Sequence, residues 1–272
     1  MPGRLFLCAT PIGNLGDVTP RLRETLSGAD VIYAEDTRRT GRLLSALGVT
    51  AKMRSFFTGN ERRRTRELER DLRSGRDVAV VTDAGTPSVS DPGSAAVTAA
   101  RKVGSEVIVI PGPSAVTAAV AGSGMVESRF AFEGFLPRSG KDRARRLGSV
   151  ASEPRPVVLF LSPHRARQDL DDLADACGPD REICVARELT KVHEELWWGT
   201  LGSARERWSE EAPRGEITIV MAAAPTGEVP LDEARALARQ MVEEGMSPSV
   251  AAREAAAATG VARRAIYEGL IR

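Results

Sequence analysis

The sequence predicts an α/β fold of two domains, the first built on a parallel sheet and the second on a mixed sheet, followed by a small helical tail. Three observations carry this. Apolar runs of four or five residues alternate with helical segments through the first half, the arrangement of βαβ units. Three of those runs end in loops of Gly, Pro and small polar residues. The stretch from Leu231 onward has glycine-broken helical segments and no strand-like run. The division is placed at residues 1–121, 122–224 and 225–272.

Leu5 to Ala9 reads as the first strand and runs into Thr10-Pro11-Ile12-Gly13. Thr19 is a suitable cap, and Pro20 a suitable first residue, for a helix to Ala29. Val31 to Ala34 is the second strand, and a helix follows through Leu47 to Gly48. Arg54 to Phe57 is a third strand. Glu61 to Ser74 is a charged helix whose plain reading is a solvated face; a face toward nucleic acid is the alternative.

The central stretch is Val78 to Gly93. Its apolar start suits a strand buried on both faces, and its end breaks into Asp83, Gly85, Pro87, Asp91 and Gly93. Val107 to Ile110 repeats that grammar before Pro111-Gly112-Pro113-Ser114. Strands that end this way converge on one sheet edge, where open α/β sheets bind small molecules.

In the second half, strands are expected at Phe130–Phe135, Val157–Leu161, Ile183–Ala186, Glu194–Gly199 and Glu216–Met221. Helices are expected near Ser114–Ala121, Leu170–Ala176 and Ala204–Glu211. The basic run Arg138, Lys141, Arg143, Arg145 and Arg146 reads as a loop or helix start suited to a phosphate backbone. Residues 225–230 form a linker. Helices at Leu231–Glu244, Ser247–Thr259 and Val261–Ile271 follow, the last two spaced like a helix-turn-helix with Arg263 and Arg264 opening the second.

Charged residues at 28% and hydrophobic ones at 42% describe a globular chain, and a net charge of +1 leaves any polyanion to local patches. Cys8, Cys177 and Cys184 read as reduced, buried thiols, and His164 and His193 lie far apart, so no metal site is expected. The start reads as a strand rather than a signal, and no apolar run nears the ~20 residues of a membrane span. A cytoplasmic protein is expected. At the end of the second strand Glu35, Asp36, Arg38 and Arg39 crowd together. The acids suit a helix start, but the arginines do not.

Eight strings in order, LFLCATPIGNLGD, YAEDTRRTGRLL, VTDAGTPSVSDPG, IPGPSA, FEGFLPR, SPHR, RELTK and GEITIV, resemble the tetrapyrrole methylase superfamily. More narrowly, with the helical tail, the chain resembles the ribosomal RNA small-subunit methyltransferase I family, which methylates the 2'-hydroxyl of a cytidine in 16S rRNA. The resemblance implies two α/β domains of the tetrapyrrole methylase type with S-adenosyl-L-methionine in the cleft between them. It carries cofactor contacts onto Pro11, Ile12 and Gly13, onto Gly85, Thr86, Pro87 and Val89, and onto Ser114, Ala115, Leu161, Leu189 and Glu216. It also implies a homodimer and a 30S ribosomal subunit as the substrate, with no membrane partner. Asp36, Lys191 and Glu35 are the candidate proton acceptors, a lysine only if its pKa is lowered. Arg38, Arg39, Arg138, Lys141, Arg143, Arg145, Arg146, Arg263 and Arg264 are the candidate RNA contacts.

Two segments depart from the family pattern. Phe56-Phe57-Thr58-Gly59-Asn60-Glu61 stands where Tyr-His-Glu-His-Asn-Glu is usual, and Phe160-Leu161 stands where Tyr-Glu is usual. Two alternatives remain: a methylase of a small tetrapyrrole, which needs neither the basic run nor the tail, and a non-catalytic ribosome- or RNA-binding protein with a relict cleft.

Overall fold

The computed structural model describes residues 1–211, 213–225 and 230–270. The first sheet has strands β1 (Leu5–Cys8), β2 (Val31–Ala34), β3 (Met53–Ser55), β4 (Val78–Val81) and β5 (Val107–Ile110). All pair in parallel, in the order β3-β2-β4-β1-β5. Helices α1 (Pro20–Gly28), α2 (Thr37–Leu47), α3 (Glu61–Arg73) and α4 (Ser94–Lys102) connect them. Every residue of β2 and β4 is buried, which is why each reads as an unbroken apolar run.

Alternate strand residues feed two clusters. Ile32 and Ala79 pack with Leu22 and Leu26 of α1 and Leu44 of α2 on one face. Tyr33 and Val80 pack with Leu68 and Leu72 of α3 and Ala96 of α4 on the other. The helices after β1 and β2 thus leave on one face, and the helix after β4 leaves on the other. Crevices therefore open at the carboxyl end of β4, on both of its sides.

The second sheet has β6 (Ala131–Phe135), β7 (Val157–Leu161), β8 (Glu182–Arg187), β9 (Glu195–Thr200) and β10 (Ile217–Met221), in the order β6-β7-β10-β8-β9. Only β6 and β7 are parallel; the other pairs are antiparallel, giving the mixed sheet expected. Helices α6 (Gly140–Ser152), α7 (Ala166–Cys177) and α8 (Leu201–Arg207) cover one face. The other face is covered by α5 (Ala115–Ser123), whose Val116 and Ala119 pack on Val158, Cys184 and Val220. The division expected at 121 falls inside this helix.

The tail helices α9 (Leu231–Glu243), α10 (Pro248–Thr259) and α11 (Arg263–Leu270) close on their own small core of Ala234, Ala238, Ala252, Ala255 and Ile266. Residues 226–229 of the expected linker, and Ile271 at the end of the expected last helix, lie outside the described residues. Among the described residues no helix is long and apolar enough to cross a membrane.

The basic run takes the second of its expected forms, a helix start, but it is not all surface. Arg138 precedes the 13-residue helix α6, Lys141, Arg143, Arg145 and Arg146 lie in its first half, and the helix turns Arg143 inward. With its side chain 7% exposed, Arg143 donates to Asp169, Asp172 and the carbonyl of Pro137 at 2.5–2.9 Å. It ties α6 to α7 and does not face solvent. Breaking a buried pair by removing one partner costs about 3–5 kcal/mol, because the other charge is stranded. Urea unfolding of Arg143→Ala is expected to show a loss of that size, whereas exposed Lys141→Ala stays within about 0.5 kcal/mol of the parent.

Candidate active site

The ends of β2 and β4 bring three acids together. Parallel pairing sets Ala34 beside Val81, so the residues that follow each strand meet. The Asp83 backbone N–H donates to Glu35 Oε2 at 3.2 Å, and the Asp36 backbone N–H donates to Asp83 Oδ1 at 3.0 Å. Asp91, at the far end of the same β4 loop, completes the group. Burial raises the Glu35 carboxyl; the donated Asp83 N–H offsets part of this, and the Asp83 charge adds to it. Burial, with the charges of Glu35 and Asp83, pushes Asp91 up to about 7. Of the nearby cations, Arg39 pairs with Asp83 at 3.3 Å.

These acids line a cleft of about 270 Å³ between the two sheets. From the first sheet come Ile12, Gly85, Thr86 and Val89; Ser114 and Ala115 open α5. From the second sheet come Phe135, Phe160, Leu161, Glu216, Ile217 and Thr218. Phe135 and Phe160 lie 5.3 Å apart between ring centroids and make an aromatic wall. The departure at Phe160-Leu161 thus turns that wall apolar.

The loop is held under strain. Ser88 (φ 73°) and Ser90 (φ 63°) take left-handed conformations in it, and Glu188 (φ 51°) and Thr190 (φ 68°) do so in the facing loop after β8. Non-glycine residues persist there only when their surroundings over-determine them, and such sites cluster where ligands bind. Gly85 (φ 77°) forms a bridge with Thr10, locking the β1 and β4 loops together.

Eight of the expected cofactor contacts, Ile12, Gly85, Thr86, Val89, Ser114, Ala115, Leu161 and Glu216, line this cleft. Pro11 and Gly13 instead line the neighbouring crevice on the α2 side, together with Arg39 and Arg42. Pro87 is buried within the loop, and Leu189 packs into the apolar cluster under α5. A Cβ at Gly13 would overlap the Lys191 side chain, so the glycine lets the two loops close on each other.

Two candidate acceptors have other work here. Asp36 caps α2 by accepting from the Arg38 backbone N–H at 2.8 Å, and its carboxylate also pairs with the Arg38 guanidinium. Those bonds hold it well below the usual carboxylate range, which makes it a poor proton acceptor. Lys191 donates to Glu188 at 2.7 Å and Glu216 at 3.0 Å. Burial alone would lower its pKa, but the two carboxylates outweigh burial and raise it. The condition for a lysine base is not met. Glu35 keeps the raised pKa an acceptor needs. Asp91 has it too, and sequence reading passed over it as one more turn residue; only its placement beside Glu35 and Asp83 distinguishes it.

The arginines divide as well. Arg38 and Arg39 lie at the acid edge, each paired with one of its carboxylates. Arg138 and Lys141 are exposed at the start of α6, Arg145 is exposed but paired with Asp142, and Arg146 pairs with Glu133. In the tail, Arg263 donates to Ser249 and Arg264 pairs with Glu268.

A family model described as Tetrapyrrole (Corrin/Porphyrin) Methylases matches residues 4–205, and one described as RsmI C-terminal HTH domain matches residues 228–270. The uroporphyrin-III C-methyl transferase of Thermus thermophilus, solved with S-adenyl homocysteine, has a TM-score of 0.57 to this chain. That match covers 80% of this chain and 97% of its own at 19% identity. Diphthine synthase gives 0.61 over 80% and 89% at 16% identity. Fold and cleft together define a member of the tetrapyrrole methylase class. The ribosomal RNA small subunit methyltransferase I of Synechocystis is 44% identical over 98% of this chain and 96% of its own. That of Mycobacterium tuberculosis is 42% identical over 99% and 95%. The chain belongs to the ribosomal RNA small subunit methyltransferase I family.

The acid cluster has a consequence for stability that needs no substrate. A carboxyl raised from 3.8 to about 7 contributes stability that is fully present below the lower value and lost as pH rises through the upper one. Asp91→Asn removes that dependence. Melting temperatures measured from pH 4 to pH 8 are expected to show the variant gaining on the parent as pH rises from about 4 to about 7, most steeply midway, near pH 5–6, and levelling above that window.

Proposed function

We propose that this chain transfers a methyl group from S-adenosyl-L-methionine to the 2'-hydroxyl of a cytidine in small-subunit ribosomal RNA. The observation that carries the reading is an acid cluster with fewer paired cations than carboxyls among the described residues, facing an aromatic wall. Glu35, Asp83 and Asp91 share one paired arginine, Arg39, and two of the three are raised. Such a site favours a ligand with positive charge at one end and an apolar ring at the other. S-Adenosyl-L-methionine has both, and bound there it would supply an electrophilic methyl on a sulfonium.

The residues of this chain would do the rest. Phe135 and Phe160 would cover a bound ligand on the second-sheet side and shield it from water there. The strained β4 loop holds Asp91 and Thr86 in fixed positions, which limits the ordering lost on binding. The Asp91 carboxylate would accept the proton of the acceptor hydroxyl, with Glu35 and Asp83 as its neighbours in the cleft lining. Lys191 braces Glu188 and Glu216 at the opposite rim. Arg38 and Arg39 stand where a phosphate or acidic group of the acceptor would enter. The substrate is the assembled 30S particle, because readers of structured RNA depend on its shape. The chain works as a homodimer in the cytoplasm.

Transfer from radiolabelled S-adenosyl-L-methionine to 30S subunits, free 16S rRNA and a tetrapyrrole acceptor tests this directly. Alkali-resistant label confined to 30S particles is the expected result; label on the tetrapyrrole alone would overturn it. For the active acceptor, kcat/KM should rise with pH through about 7, because the free-enzyme base must be ionised. Asp91→Asn should lose roughly 100-fold or more in kcat. Asp36→Ser, which keeps a capping oxygen, should keep most of the activity.

A further inference from the structure

The loop after β3 separates two adjacent phenylalanines. Phe56 is 1% exposed and packs edge-on against Tyr33 at 6.0 Å in the core. Phe57 points the other way and is 45% exposed. Its position is fixed rather than loose: the Phe57 backbone N–H donates to Asn60 Oδ1 at 3.0 Å, and Asn60 Nδ2 donates to Ser55 Oγ at 3.1 Å. The ring lies over Gly59, where a Cβ would stand 2.6 Å from Cε2. An aromatic ring is thus held in the open on a short, braced loop.

Beside it α3 presents Arg62, Arg63 and Arg66, all exposed, at i, i+1 and i+4 on one face. None of the three is in an ion pair among the described residues, although their neighbours are: Arg64 pairs with Glu67, and Arg54 and Arg76 with Asp71. With the three arginines, Thr58, Gly59 and Asn60 line a shallow concavity next to the Phe57 loop. The whole chain carries a net charge of only +1, so this concentration is local. Three adjacent guanidiniums repel one another, and an anionic partner relieves that repulsion.

This surface lies on the edge of the sheet that carries the acids. β3 is two strands from β4, about 10 Å at the usual strand spacing. A polyanion delivering a group to the cleft would pass over it. An exposed aromatic ring beside guanidiniums is how proteins hold single-stranded nucleic acid: the ring stacks a base, and the cations take the flanking phosphates. A duplex would use the charges but leave the ring idle.

We propose that Phe57, with Arg62, Arg63 and Arg66, forms a platform that stacks an unpaired base of the RNA substrate and holds its flanking phosphates, so that a neighbouring nucleotide enters the cleft. The platform rests on the reading of the chain as an RNA methyltransferase. It gives the segment Phe57–Gly59, which departs from its family's pattern, a role of its own.

The test measures binding of the full chain to a fluorescein-labelled single-stranded oligoribonucleotide and to its duplex, and methyl transfer to 30S subunits. Phe57→Ala should weaken single-strand binding roughly tenfold, leave duplex binding unchanged and raise KM for 30S subunits more than it lowers kcat. Phe57→Trp should restore the single-strand affinity and the KM. Arg62→Gln, Arg63→Gln and Arg66→Gln together should weaken both ligands and flatten the single-strand salt slope by roughly 0.7 for each phosphate left without its arginine. Arg21→Gln, on the far face of the sheet, should change neither. A parent protein that methylates 30S subunits while Phe57→Ala matches it in KM and affinity overturns the platform, as does a parent that binds no single-stranded RNA. A parent that binds the oligonucleotide through Phe57 yet methylates only a tetrapyrrole overturns the function proposed above and the platform's delivery of a nucleotide with it, whereas loss of the Phe57 effect alone, with 30S methylation intact, overturns only the platform.

Discussion

The site depends on carboxylates forced together by backbone pairing. β2 and β4 are parallel neighbours with their ends in register, so the residues after Ala34 and Val81 have nowhere to go but beside each other. Backbone N–H groups of Asp36 and Asp83 then hold the Asp83 and Glu35 carboxylates. The β4 loop returns Asp91 to the same place. Water and one arginine are left to offset the repulsion, and burial removes part of the water. A positively charged ligand would stabilise an edge built this way, and on the function proposed above that is the source of the cleft's selectivity.

The second sheet supplies what the first cannot. Its β7 and β6 ends bring Phe160 and Phe135 to face the acids, so charge recognition and apolar recognition come from different sheets. The loops are closed against each other by small residues and strain: Gly13 admits Lys191, and left-handed serines shape the β4 loop while Glu188 and Thr190 shape its counterpart. Strain at both rims means that neither loop is at its own local minimum. Each is held by packing beneath it, Val89 and Leu189 reaching into the cluster under α5.

Much of this was legible in the chain itself. Strands buried on both faces read as unbroken apolar runs, and Gly- and Pro-rich exits mark the ligand edge whatever the ligand. The shared sheet edge of Ile12, Gly85 and Ser114 followed from that grammar alone. What escaped reading was set by three-dimensional partners. Asp36 and Lys191 look catalytic in sequence, but a helix cap claims the first and two carboxylates claim the second. Arg143 looks like part of a basic surface, but helical periodicity turns it inward onto Asp169. Asp91 looks like a turn residue until the loop folds back. Charge patterns in sequence report which groups are near in number; the pKa of each depends on which are near in space.

The central claim is that the acid edge selects positive charge in the cleft. Calorimetric titration of S-adenosyl-L-methionine and S-adenosylhomocysteine from pH 5 to pH 9 tests it most directly, because the two differ at the sulfur, one a sulfonium and the other neutral. The account predicts that the affinity ratio shifts toward the sulfonium as pH rises through about 7, and that Asp91→Asn flattens the shift. A ratio that stays constant across that range in the parent protein would contradict it.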